Sequence, residues 1–113
     1  MILGIRCSNS DYAYVVLRGS KAKPDLVEYK LVAFPVGFSK EKSLKWMVDE
    51  VRDRIHRHKI ETVVMKGPEG LATRTASLLE RVEYEAAVYI ACADAGIANV
   101  SKKMKSTIAK DLV

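Results

Sequence analysis

Cysteine is scarce in this sequence: Cys7 and Cys92 are the only two. Each sits inside an apolar stretch, with no ligand cluster near it. That excludes a zinc site and a disulfide framework, and it reads as two buried, reduced thiols. A single disulfide or a reactive thiol is the alternative. Proline occurs three times and glycine six, too few for a low-complexity chain. No segment repeats. No apolar run approaches the roughly 18–20 residues that cross a bilayer. The opening Met1-Ile2-Leu3-Gly4-Ile5-Arg6 has no basic stretch ahead of its short apolar run, unlike a secretory signal. A cytoplasmic location without membrane contact is therefore expected. Gly67-Pro68-Glu69-Gly70 lacks the spacing of a phosphate loop or a dinucleotide fingerprint and reads as a turn. No cofactor is expected.

What is present suits one soluble domain spanning residues 1–113. The hydrophobic share is 49% and the charged share 29%, both ordinary for a globular chain. A chain of this length buries roughly two-thirds of its unfolded surface, enough for a core without staples. Nineteen Lys and Arg against fourteen Asp and Glu leave a net charge of +5. That balance favours phosphate-bearing partners and is consistent with weak, salt-sensitive contact with DNA or RNA.

The hydrophobic pattern divides the chain into eight elements. A short continuous run, Ile2 to Ile5, reads as a strand buried on both faces. The turn formers Ser8-Asn9-Ser10-Asp11 lead to a second strand, Tyr12-Ala13-Tyr14-Val15-Val16-Leu17, close enough to make a hairpin. A third strand is expected over 27–34, with Val27, Tyr29, Leu31 and Ala33 on one face and Glu28 and Lys30 on the other. Ser39 is a good N-cap. Behind it Leu44, Met47, Val48, Val51 and Ile55 make the stripe of an amphipathic helix over 40–58, with Trp46 half-packed at its margin. A fourth strand follows over 60–66. A long helix follows over 73–95, with Leu78, Leu79, Val82, Ala86, Tyr89, Ile90 and Ala93 as its apolar face and Gly96 as its C-cap. Residues 86–93 are apolar nearly all round, which suits deep burial or pairing with a second chain; a homodimer is expected. A short fifth strand over 97–100 precedes a last helix, capped by Ser101 and carrying Met104, Ile108 and Leu112.

The element order is β-β-β-α-β-α-β-α. Right-handed crossovers then give an α/β fold with a five-stranded mixed sheet in the order 3-2-1-4-5.

This order is that of the ribonuclease H-like fold, and the residues resemble those of RuvC-type Holliday-junction resolvases. Ile2-Leu3-Gly4-Ile5 and Tyr12-Ala13-Tyr14-Val15-Val16 are similar to their first hairpin. Ile60-Glu61-Thr62-Val63-Val64-Met65 is similar to their fourth strand, and 82–91 to their central helix. Residues 100–108 resemble their junction between strand five and the following helix. The chain also resembles a short bacterial family related to these nucleases. The resemblance implies acidic residues at the ends of strands one and four and on a C-terminal helix, holding two divalent cations around a phosphodiester. Here the two strand-end positions are Arg6 and Lys66, and no C-terminal acidic helix precedes Val113. Metal-dependent cleavage by that mechanism is not expected.

Arg6 and Lys66 should instead meet at a strand-end crevice, where open α/β sheets bind ligands. With Lys102, Lys103 and Lys105 just after strand five, they form a candidate anion- or nucleic-acid-binding site. The competing reading makes them solvated charges paired to Asp11, Glu69 or Asp94. A displaced acidic site built from Asp11, Glu69, Asp94 and Asp111 is a further alternative that would restore a nuclease. A structural or protein-interaction module is another. His56 and His58 are two apart on a helix and make a poor metal pair; interaction with the helix C-terminus is their expected role.

Overall fold

A computed structural model of the chain describes residues 1–19, 25–67 and 76–103. The elements are β1 (Ile2–Cys7), β2 (Asp11–Arg18), β3 (Asp25–Ala33), α1 (Lys40–His58), β4 (Thr62–Lys66), α2 (Ala76–Asp94) and β5 (Asn99–Lys103). The sheet order is β3-β2-β1-β4-β5, as the element order requires. β1 pairs antiparallel with β2, and β2 with β3, while β1–β4 and β4–β5 are parallel. The expected last helix, with Lys105, lies outside the described residues, as do Glu69 and Asp111.

The β1–β2 hairpin closes on Ser8. Its hydroxyl accepts from the backbone amides of Ser10 and Asp11 and donates to the Asp11 carboxylate at 2.8 Å, the local bonding that makes such residues turn formers. Strand alternation then divides the sheet into two faces. Leu3, Ile5 and Cys7 of β1, Tyr12, Tyr14 and Val16 of β2, and Val63 and Met65 of β4 are buried. They join Met47, Val48, Val51 and Ile55 of α1 and Tyr84, Ala87, Val88, Ala91 and Cys92 of α2 in one core. Both cysteines are free and buried. Trp46 packs at the helix margin as expected, its ring 5.7 Å from Phe34 and 5.9 Å from Tyr12.

Three sequence expectations are corrected. The expected apolar face of α2 is not its packed one: Leu79, Val82, Tyr89 and Ile90 are exposed. The helix has two apolar stripes, and the one with the small residues Ala87 and Ala91 is packed inward. In β3 the expected alternation of Tyr29 and Leu31 against Glu28 and Lys30 holds, with Glu28 and Lys30 on the side of α1 and α2, but Val27 departs from it. A register shift between Val16 and Leu17 pairs Leu17 with Leu26 and Val16 with Glu28, so Val27 bulges out of the alternation. Glu28 is held inward by His58, whose Nε2 lies 2.8 Å from Glu28 Oε2. Finally, β5 runs to Lys103. Ser101 pairs with Val64 rather than capping a helix, and Lys102 and Lys103 belong to the strand rather than following it. The parallel ladder to β4 outweighs the polarity of these residues, which an edge strand tolerates.

Candidate functional site

β1, β4 and β5 are parallel and end at the same side of the sheet. Ile5 pairs with Met65, so one step further along both strands brings Arg6 beside Lys66. Lys66 in turn pairs with Lys103. Strand pairing thus sets three cations in a row, within roughly 10 Å across three strands, on the face opposite α1 and α2. Two like charges on adjacent strands destabilise a sheet unless something neutralises them. Two of the carboxylates expected nearby are engaged elsewhere. Asp11 is bonded to Ser8, and Asp94 lies 3.5 Å from Arg52.

Beside this row is a shallow depression of about 420 Å³, lined by Gly4, Arg6, Val15, Tyr29, Val64 and Lys66 among others. Its floor is low because Gly4 has no side chain. A Cβ there would stand 2.9 Å from Val15 Cγ1. Tyr29 at its edge is 64% exposed.

Lys102 is not part of this row. The strand alternation turns it to the helix layer, where its Nζ lies 2.8 Å from Glu85 Oε1. Glu85 is 1% exposed, and Arg81 Nε lies 3.5 Å from its other oxygen. These are ion pairs rather than aligned hydrogen bonds, since neither carboxylate oxygen meets hydrogen-bond geometry. Arg81 also donates from Nη2 to the Lys66 carbonyl at 2.8 Å. The cluster therefore ties α2 to the ends of β4 and β5 and fixes the backbone under the row. Cys7 lies against it: burial pushes its thiol up to about 12, and the Glu85 carboxylate adds to the rise. Such a thiol is an inert core group rather than a nucleophile.

The sequence reading missed Glu85. Its signal was a lone acid on the inner stripe, four residues after Arg81. His58 contacts Glu28 on β3 instead of serving only the helix end, and His56 is exposed.

Of the displaced acidic set, the two described members, Asp11 and Asp94, are not brought together. Asp11 lies at the carboxyl end of β1. Asp94 ends α2, which runs back to the opposite end of the sheet over roughly 28 Å. Among the described residues no three His, Cys, Asp or Glu side chains converge. The two divalent cations that the resemblance implies do not fit the strand-end positions either. A guanidinium and an ammonium group offer no oxygen donors, and they repel cations. No described helix is long and apolar enough to cross a membrane.

This sheet order with both described helices on one face defines the ribonuclease H-like fold, in the arrangement of the RuvC-type resolvases. Thermus thermophilus RuvC in complex with Holliday junction substrate superposes with a TM-score of 0.81 at 18% identity, over 99% of this chain and 69% of that one. Thermus thermophilus RuvC in a second structure gives 0.73 at 20% identity, over 91% and 63%. The yeast mitochondrial Holliday junction resolvase Ydc2 gives 0.71 at 10% identity, over 96% of this chain and 52% of that one. The chain thus spans between about half and two-thirds of the length of these proteins, and at such identities the likeness is one of fold. No family model matches the chain, and no curated protein is similar to it in sequence.

Proposed function

We propose that the chain is a non-catalytic ribonuclease H-like domain that binds nucleic acid, or another polyanion, weakly through Arg6, Lys66 and Lys103. The observation that carries this reading is the adjacency of Arg6 and Lys66 at the strand ends where comparable nucleases gather carboxylates. An Arg and a Lys held side by side bind phosphate oxygens well, the former bidentately. The solved RuvC complex with Holliday junction substrate makes DNA the first polyanion to test. Lys102 is excluded from the binding set because it is committed to Glu85.

The test is fluorescence anisotropy at low salt with labelled duplex, junction and single-stranded oligonucleotides. The wild-type chain should bind, and Arg6→Ala together with Lys66→Ala should weaken binding by on the order of tenfold or more. No binding at low salt overturns the reading. So does cleavage of the junction in Mg²⁺ or Mn²⁺, which would favour a nuclease.

A second reading has its own observation. Leu79, Val82, Tyr89 and Ile90 form an exposed apolar stripe on α2, and contiguous stripes of this kind mark protein contacts. In this reading the chain is an interaction module that pairs with a second copy through α2.

A further inference from the structure

We infer that the sheet face opposite α1 and α2 is a platform for single-stranded nucleic acid, with a base stacked on Tyr29 and the adjoining phosphates held by Arg6 and Lys66. The inference rests on the polyanion reading above and narrows it to one class of ligand.

Three features of the face support it. The first is the register. Gly4 pairs with Val15, and Val15 with Tyr29, while Arg6 pairs with Ala13, and Ala13 with Leu31. Tyr29 therefore stands in the row next to the arginine, two strands away, or roughly 10 Å across the sheet. The ring and the guanidinium frame the depression from two sides.

The second is shape. The floor between them consists of Gly4, Ala13, Val15 and Val64, so no long side chain rises to fill it. Gly4 keeps it low. A flat apolar floor of this kind accepts a planar ring and gives nothing for a bulky globular surface to interlock with.

The third is charge. Glu28, the carboxylate beside Tyr29 in sequence, is turned away to His58, and Asp11 is held by Ser8. The ring is thus approached from a basic side. Cations alone would serve any polyanion. An exposed aromatic placed beside them is useful only to a ligand that carries both phosphates and accessible ring faces. A duplex hides those faces inside its stack; a single strand offers them. Base stacking on aromatic side chains combined with basic backbone contacts is how sequence-tolerant single-strand binders work.

The experiment compares three probes: a labelled oligo-dT strand, a duplex of equal length, and inorganic polyphosphate. They are titrated into wild type, Tyr29→Ala, Tyr29→Phe and Arg6→Ala/Lys66→Ala, with circular dichroism confirming the fold of each. The strand should bind more tightly than the duplex. Tyr29→Ala should weaken oligo-dT about tenfold to a hundredfold and leave polyphosphate unchanged, and Tyr29→Phe should retain binding. The double variant should weaken both probes. If Tyr29→Ala leaves oligo-dT affinity intact, or lowers both probes equally, the stacking platform is wrong while the polyanion reading survives. The same holds if the duplex matches the single strand. A change in sedimentation mass on Tyr29→Ala would mean that a second copy covers this face, which also overturns the platform. If wild type binds none of the three probes, both readings fall.

Discussion

Lys102 Nζ lies 2.8 Å from Glu85 Oε1 within the helix layer, although the next residue, Lys103, pairs with Lys66 on the opposite face. Two consecutive lysines thus do different work, one neutralising a buried acid and the other extending a surface row. Lys102→Met should leave Glu85 with Arg81 alone. Removing one partner of a buried pair costs about 3 kcal/mol, the low end of the usual range, because part of Lys102 remains in water. Adding Glu85→Gln should recover most of that loss. Urea unfolding checks both, and the folded Lys102→Met chain should bind polyanions as wild type does.

The Glu28–His58 contact gives the fold an acid sensitivity. Burial by itself pushes the Glu28 carboxyl up, but the contacts with His58 and Tyr14 and the nearby charge of Lys30 together outweigh it and hold the group below its usual range. A carboxyl depressed on folding contributes stability that is fully present above its unfolded value and lost as pH falls through its folded one. Wild type should therefore exceed Glu28→Gln in stability at neutral pH, and the gap should close in acid below the ordinary glutamate range. Thermal melts across that range measure it. A gap that widens with acid would contradict the assignment.

Gly4 is a packing requirement as well as the floor of the depression. With Val15 Cγ1 at 2.9 Å from the place of a Cβ, Gly4→Ala forces a β-branched neighbour out of position, which costs about 1 kcal/mol or more. Combined with Val15→Ala, the clash disappears, so the two losses should be strongly non-additive by denaturant unfolding.

The outer stripe of α2 tests the second functional reading. If two copies meet there, Ile90→Lys should halve the mass measured by sedimentation and leave the circular dichroism spectrum unchanged, since Ile90 is 54% exposed. A wild-type chain that sediments as a monomer at all concentrations would end that reading.

Much of the architecture was legible because local pattern and tertiary role agree. Ser8 to Asp11 turn the chain, Met47, Val51 and Ile55 face the core as their spacing requires, and Gly96 takes the left-handed conformation, φ +72°, that its capping position asks of it. Other features depend on what lies opposite in space. Two apolar stripes on α2 share one period, so spacing could not say whether Val82 or Val88 would face inward. The extent of β5 is set by pairing with β4, and that pairing, rather than any property of Lys102, decides which lysine meets Glu85. The adjacency of Arg6 and Lys66 was legible because it follows from strand order and from both residues standing at the carboxyl ends of neighbouring parallel strands. The ring of Tyr29 beside them was not, because the bulge at Val27 and the pull of His58 on Glu28 orient β3.

The salt dependence of binding tests the central claim most directly. Oligo-dT affinity is measured across a series of ionic strengths for wild type and for Arg6→Ala/Lys66→Ala. If both side chains neutralise phosphates, the slope of log affinity against log salt should become shallower by about 1.4 in the variant, roughly 0.7 for each lost contact on a single strand. An identical slope in the two proteins, or a wild-type affinity indifferent to salt, would contradict the assignment of these strand ends to phosphate.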